Sequence, residues 1–146
     1  MPKQQQAEAN YRISLKALIR DEQGRVLLVK EAGDTWWGLP GGGFDHNESM
    51  HSCLSRELAE ELGVKLGWVG VAPTFVWKFY ATYADGTPDR WVVWVVYEAG
   101  LAHTPPAGHL GQSIKFYTPD EIIPSVLAHY HTRAAFDQFQ EYIRGY

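Results

Sequence analysis

Arg56-Glu57-Leu58-Ala59-Glu60-Glu61-Leu62-Gly63 carries three carboxylates within one and a half helical turns. On a helix Glu57 lies three residues from Glu60 and four from Glu61, so all three share a face. Like charges at that spacing repel by about a few tenths of a kcal/mol per pair, and only Arg56 stands nearby in sequence to offset them. Three glutamates alone are more often a solvated acidic face than a site. Three neighbours shift that balance. Leu54, Leu58 and Leu62 recur at i, i+4 and i+8 and anchor the adjacent face in a core, which puts the carboxylates at its edge. Glu48, at the helix start, is within reach of Arg56 two turns on, where a pair would hold the preceding loop against the helix. That loop, Trp37-Gly38-Leu39-Pro40-Gly41-Gly42-Gly43, can bring backbone close to a cation or to phosphates where side chains would block the approach. A cluster of oxygen ligands suits a hard divalent cation, and Mg²⁺ binds through a few carboxylates plus substrate phosphates.

The elements that must position this loop and helix are legible in the hydropathy pattern. Residues 11–20 and 25–31 are rich in β-branched and aliphatic side chains. Asp21-Glu22-Gln23-Gly24 between them has turn chemistry, so the pair reads as a hairpin. The Gly/Pro-dense stretch 37–43 fits neither a helix nor an ordinary strand. The acidic helix is expected from Glu48 or Ser49 to Leu62, with Gly63 as its C-terminal glycine. Residues 69–83 and 91–97 read as strands around Asp85-Gly86-Thr87-Pro88, and the second, apolar on both faces, belongs at the centre of a sheet covered on both sides. Residues 101–112 read as a loop and 114–117 as a short strand. Thr118-Pro119-Asp120-Glu121 has the form of a capping box with proline at the first helical position. Helical pattern resumes near Ser125 and runs to about Ile143, while residues 1 to about 10 are polar and read as frayed. Strands before, between and after two helices give a mixed sheet sandwiched by helices.

Composition narrows the class. The 146 residues, 45% of them apolar, are expected to form one domain, 1–146, with a core of its own. A charged fraction of 21% and an aromatic fraction of 14% exclude a disordered or collagen-like chain. The net charge of -4 argues against binding duplex nucleic acid by phosphate neutralisation alone. A lone cysteine, Cys53, cannot form an internal disulfide, and it reads as a buried inert thiol. No apolar segment at the N-terminus suggests a signal peptide, and the longest apolar run, 91–97, is too short to cross a bilayer, so a cytoplasmic setting is expected.

The acidic segment resembles the Nudix box, G-x5-E-x7-R-E-U-x-E-E-x-G-U with U apolar. Gly42, Glu48, Arg56, Glu57, Leu58, Glu60, Glu61, Gly63 and Val64 satisfy every position. At background frequencies the seven fixed residue types coincide in about one such chain in a million. The stretch from Trp37 to Gly42 is similar to the family's usual approach to the box, and the order of elements resembles the Nudix fold across nearly the whole chain. Asn47 stands where glycine is common, and asparagine tolerates the left-handed conformation such a turn needs.

The resemblance implies an α/β fold, a Nudix-type α/β/α sandwich with a mixed central β-sheet, and hydrolysis of a nucleoside diphosphate linked to another group. It implies Glu57 and Glu61 as direct ligands of Mg²⁺ or Mn²⁺, Glu60 as a ligand directly or through water, and the Gly42 carbonyl as a further one. Arg56 is then the residue that orients the glutamates and pairs with Glu48. The general base is either a box glutamate or a later carboxylate. Glu98, at the end of the apolar strand, is the later candidate, weighed evenly against an ordinary strand-end charge. The loop before Ile114, where the family often carries a glutamate, holds His109 and Gln112 and no carboxylate.

Substrate contacts are less local. Trp36, Trp37, Trp77, Trp91 and Trp94 could stack a base, although buried aromatics are mostly core. Trp36 and Trp37 flank the glycine loop and are favoured. Phe79, Tyr80 and Tyr83 add aromatic surface, and Tyr80 stands where the family associates a tyrosine with dinucleoside polyphosphates. Arg12, Lys16, Lys30, Lys78 and Arg90 could meet phosphates, with a solvated charge as the default for each; Arg12 joins the candidate substrate contacts. His46, His51, His103, His109, His129 and His131 form no zinc-spaced set, and the last two fall on different faces of a helix. The expected substrate is a nucleoside triphosphate (normal or oxidised), a dinucleoside polyphosphate or a nucleotide sugar. Alternatives are an RNA 5′-end pyrophosphohydrolase and a catalytically silent binding module. No membrane partner is expected, nucleic acid is disfavoured, and a homodimer is left open.

Overall fold

A computed structural model describes residues 10–83, 86–127 and 133–145. The apolar runs become strands β1 (Arg12–Ile19), β2 (Val26–Lys30), β3 (Gly41–Gly43), β4 (Leu66–Val69), β5 (Phe75–Ala81), β6 (Arg90–Leu101), β7 (Gly108–His109) and β8 (Gln112–Tyr117). The helices are α1 (Met50–Leu62) and α2 (Arg133–Arg144), with a 3₁₀ turn at Pro119–Glu121. β6 is central, as its two apolar faces require. It pairs in parallel with β1 and antiparallel with β5 along its first half and with β4 along its second. β1 carries β3 antiparallel on its other edge, so the five-stranded sheet is mixed. A second, antiparallel sheet has the order β2-β8-β7.

Alternation along β1 and β6 builds two cores. Leu15, Ala17 and Ile19 with Tyr97 and Ala99 face α1, whose Cys53, Leu54, Leu58 and Leu62 are buried against them. Leu18 with Val92, Trp94 and Val96 faces the other way, onto Phe136, Phe139 and Ile143 of α2. The expected sandwich is therefore present, with a helix on each face.

Several local expectations change. The hairpin does not form beyond one bridge, Arg20 to Val26. After it the two strands separate, β1 joining β6 and β2 joining β8, because each buries more apolar surface there than a two-stranded ribbon could. The glycine stretch, read as non-strand, contains β3, which pairs Gly41, Gly42 and Gly43 with Lys16, Leu15 and Ser14. The strand expected over 69–83 is shorter, β5 at Phe75–Ala81, and β4 ends at Val69, the two pairing with separate halves of β6. The helix expected from near Ser125 is not present there: residues 124–126 form a turn, Leu127 bridges to Trp37, and α2 is described from Arg133 onward. His129, His131 and residues 1–9 lie outside the described residues.

Truncating Phe139, fully buried in α2, should lower the unfolding free energy by about 3–5 kcal/mol. Arg133→Ala, which removes an ion pair to Asp137 whose side chains are 68% and 56% exposed, should change it by less than about 0.5 kcal/mol. Urea unfolding of Phe139→Ala and Arg133→Ala checks both values; equal losses would mean that α2 is not docked through its apolar face.

Candidate active site

Helix α1 starts where its side chains can satisfy free backbone donors. Ser49 Oγ accepts from Ser52 N–H at 3.1 Å, and Ser52 Oγ accepts from Ser49 N–H at 2.9 Å. It stops at Gly63, which takes the left-handed conformation (φ 67°) and donates to Ala59 O at 3.1 Å. Between these ends Arg56 gathers the acidic groups. Its Nε donates to Glu48 Oε2 at 2.7 Å and its Nη2 to Glu48 Oε1 at 2.8 Å, a two-pronged pair. Nη2 also reaches Gly43 O at 3.2 Å, while Nη1 reaches Glu57 Oε1 at 2.9 Å and Glu60 Oε2 at 3.4 Å. These bonds hold the Glu48 carboxyl down to about 2.

Strand β3 brings the glycine loop onto the carboxylates. Gly41 N–H donates to Glu61 Oε1 at 3.2 Å, and Gly41 O accepts from Lys16 Nζ at 2.9 Å. A Cβ on Gly42 would fall 2.6 Å from the Glu57 carboxylate, so only glycine lets that group lie against the loop. Burial pushes the Glu61 carboxyl up to about 7; Lys16 pulls against this and Glu57 adds to it. Burial also lowers the Lys16 pKa, opposed by the fields of Glu61, Glu57 and Glu31. Among the described residues no three acidic, imidazole or thiol groups converge on one point. Glu57 turns to Arg56, Glu61 to Gly41, and Glu60 is 60% exposed at the rim. The donors are all oxygen, and the mutually repelling carboxylates of Glu57 and Glu61 both lie against the glycine loop. The set fits a hard divalent cation.

A cleft of about 790 Å³ opens beside Glu61. Arg12, Ser14 and Lys16, alternate residues of β1, line it together with Trp36, Trp37, Phe79, Trp94, Tyr83 and Arg90. Trp36 is 44% exposed there. Trp37 is already engaged, edge-on to Tyr117 at 5.2 Å and under Lys30 Nζ at 5.2 Å. Arg12 lies over Gly43, with Nη2 at 3.8 Å from Asp45.

Two candidates are not brought to this place. Tyr80 points away from the cleft, since Phe79 and Ala81 on either side of it are the residues of β5 that line it; its ring packs on Trp91 at 5.5 Å. Glu98 lies four residues beyond Trp94 on β6, outside the cleft lining. Its Oε1 accepts from Arg20 Nη1 at 2.7 Å and from Tyr142 Oη at 2.9 Å. β6 runs on to Leu101, so Glu98 lies within the strand and not at its end as expected, and there it meets the Arg20 guanidinium after β1 and the Tyr142 hydroxyl of α2. Cys53 is buried, and burial raises its thiol to about 11. Sequence reasoning passed over Ser14 and Glu31, and gave Lys16 as one of five cations that could meet phosphates, with a solvated charge as the default. The available signal was the alternation Arg12, Ser14, Lys16 against Ile13, Leu15, Ala17, which marks a polar face on a strand otherwise apolar.

The fold and the site together define a class of α/β proteins that set an acidic helix against a glycine-rich strand at the mouth of a cleft. Known proteins narrow the class to one family: the NUDIX domain matches residues 10–139, and the chain belongs to the Nudix hydrolase family. It is 35% identical over 91 residues to the nucleoside triphosphatase NudI of Enterobacter sp. (strain 638), a match covering 55% of this chain and 62% of that protein. It is 40% identical over 55 residues to the RNA pyrophosphohydrolase of Saccharophagus degradans, covering 37% of this chain and 32% of that one. The chain thus spans less than two thirds of the length of these curated relatives. Among solved structures, a UDP-X diphosphatase superposes with a TM-score of 0.67 at 20% identity, over 94% of this chain and 64% of that one. The MutT NUDIX hydrolase of Burkholderia pseudomallei gives 0.59 at 25% identity, over 88% and 95%. These likenesses carry the fold. No helix among the described residues is long and apolar enough to cross a membrane.

The Glu61 carboxyl, ordinarily near 4.5, titrates near 7 in the folded chain. Between those values the folded chain holds a proton that the unfolded chain has lost, so stability of the metal-free protein falls as pH rises through that window and stays lowered above it. Glutamine removes the buried charge and keeps an acceptor for Gly41 N–H. Glu61→Gln should therefore raise the melting temperature by a few degrees near pH 8 and leave it unchanged near pH 4. A shift of equal size at both pH values would mean that another group sets the dependence.

Proposed function

We propose that this protein hydrolyses the diphosphate linkage of a nucleotide with the help of Mg²⁺ or Mn²⁺, in a cytoplasmic setting. The observation that carries the reading is the placement of Glu57 and Glu61 against Gly41 and Gly42 at the mouth of an aromatic cleft lined by Arg12, Lys16 and Arg90. Glu57 and Glu61 would hold the cation, Glu60 would complete the shell from the rim, and the Gly42 carbonyl would add a neutral oxygen. A cation there supplies neutralisation of diphosphate charge and a more acidic water for attack on phosphorus.

The chain's own residues supply position. Arg56 fixes Glu57 and Glu60 and, through Glu48 and Gly43, the loop that faces them. Trp36, exposed in the cleft, offers a stacking face for a nucleobase, whereas Trp37 shapes the wall behind it. Arg12 can leave its long contact with Asp45 to meet phosphate oxygens. The proton of the attacking water goes to a carboxylate of the box, because Glu98 is engaged elsewhere by Arg20 and Tyr142. The rate gain in such chemistry comes from positioning and electrostatics. The similarity to a nucleoside triphosphatase favours a nucleoside triphosphate as substrate. The similarity to an RNA pyrophosphohydrolase supports a second reading, action on a triphosphorylated RNA end, against which the net charge of -4 counts.

Phosphate release from nucleoside triphosphates, oxidised guanine nucleotides, dinucleoside polyphosphates, nucleotide sugars and a 5′-triphosphorylated RNA, with and without Mg²⁺ or Mn²⁺, tests the reading. Metal-dependent turnover of one class is expected. Glu57→Gln and Glu61→Gln should each lower it by at least about a hundredfold, and Glu98→Gln should leave it within about threefold. Near-normal turnover in a folded Glu57 or Glu61 variant would sink the ligand assignment, and silence across the panel from folded wild type would favour a binding module.

A further inference from the structure

Lys16 is a cation set among carboxylates without touching one. Its Nζ donates to Gly41 O at 2.9 Å and sits over the Trp94 ring at 4.9 Å, on the cleft-lining face of β1. Among the described residues that carbonyl is its only hydrogen-bond partner, which leaves two of its three N–H donors uncommitted. Glu61, Glu57 and Glu31 surround it electrostatically. Gly41 is gripped at both ends of its polar backbone, by Glu61 at N–H and by Lys16 at the carbonyl. The ammonium thus shares Gly41 with Glu61 and sits over Trp94, an aromatic residue of the cleft.

The charges around that point decide what the lysine does. Glu31, Glu57 and Glu61 ionised with Lys16 protonated sum to two negative charges, which a divalent cation would bring to zero. Without Lys16 the same carboxylates would attract the cation more strongly, since a fixed positive charge nearby repels it through a partly buried, weakly screened space. Once a cation offsets the glutamates, the lysine's field is no longer spent on them. Its remaining donors are then available to an anionic oxygen in the cleft that Lys16 lines.

We propose that Lys16 couples the two occupants of the site: in the free protein it opposes the divalent cation as the counter-charge of Glu57 and Glu61, and in the loaded protein it holds a phosphate oxygen of the nucleotide. It is a positioning and affinity-setting residue, and it makes cation and nucleotide binding mutually supportive, as any such linkage must be reciprocal. The inference rests on the reading of Glu57 and Glu61 as cation ligands.

Two variants separate charge from bracing. Lys16→Gln removes the charge and keeps a donor for Gly41 O; Lys16→Met removes both and keeps the length. Mn²⁺ binding to the free protein is read by electron paramagnetic resonance. Binding of methylenediphosphonate, a diphosphate analogue that cannot be hydrolysed, is read by calorimetry at saturating Mn²⁺. Lys16→Gln should bind Mn²⁺ at least about threefold more tightly and the diphosphonate at least about tenfold more weakly. Lys16→Met should move both in the same directions. Loss of affinity for both ligands together would mean that the lysine only braces the loop, and unchanged affinities would mean that it does neither; each result overturns the proposal. Wild type that binds no Mn²⁺ would overturn the cation reading itself, a failure visible before any variant is made.

Discussion

Arg56 is the constraint on which the site depends. Three carboxylates on one helical face, with Glu57 only 13% exposed, would repel one another and push apart the loop that faces them. One guanidinium prevents this by spending its donors on three different parts of the chain. The two-pronged bond to Glu48 closes residues 43–48 onto α1, the bond to Gly43 O anchors the end of β3, and the bond to Glu57 aims a carboxylate at Gly42. An ammonium would satisfy one of these as a point charge but lacks the planar fork that meets all of them at once. The Glu48 carboxyl, held down to about 2 by Arg56, keeps its charge through the pH window in which Glu61, pushed up to about 7 by burial, changes its own.

That clamp works because β3 has something to lie on. Three glycines have little intrinsic preference for a strand and no side chains to pack. They pair with β1 because the Gly41 peptide is gripped by Glu61 and Lys16 and because Arg12 covers Gly43. β1 in turn is fixed by eight residue pairs in parallel with β6, from Arg12 opposite Val92 to Ile19 opposite Ala99. The site is thus assembled from a long-range parallel pairing outward, and the acidic helix is its last layer.

This order explains what could be read from sequence. Helix α1 was legible because its signals are local: a leucine repeat, Leu54, Leu58 and Leu62, ending on the terminal glycine Gly63. The box residues were legible for the same reason, and so was the central place of β6. The partner of β1 was not, since no local signal distinguishes Val26, five residues after Glu22's turn begins, from Val92 far along the chain; burial decided it. The glycine strand was hidden because its cause lies in side chains from two other elements. Glu98 looked free at a strand end, and only the packing of α2 brings Tyr142 to it. For Lys16 the alternation along β1 was visible, but which face would meet a cleft was not.

Facing is the quantity that sequence withheld most completely, and it governs the substrate side of the site. Side chains alternate along a strand, so the registers of β1, β5 and β6 decide together which residues enter the cleft. Trp77 opposite Trp94 and Phe79 opposite Val92 send their side chains to the cleft and α2 side; Tyr80 opposite Trp91 sends its own to the other face. A slip of one residue in β5 would exchange Phe79 for Tyr80 and bury Lys78 in place of Trp77. Lys78, stacked over Tyr11 and Trp91 on the outer face, would then lose its ring partners and be desolvated without an acidic one, which makes the slip costly. The stacked Trp77–Trp94 pair, at 5.8 Å, adds a penalty of its own, since neither indole could be replaced there without a void. The aromatic wall offered to a nucleobase is therefore set by the same packing that docks α2, and a change in substrate preference is to be sought in residues whose register is fixed far from the carboxylates.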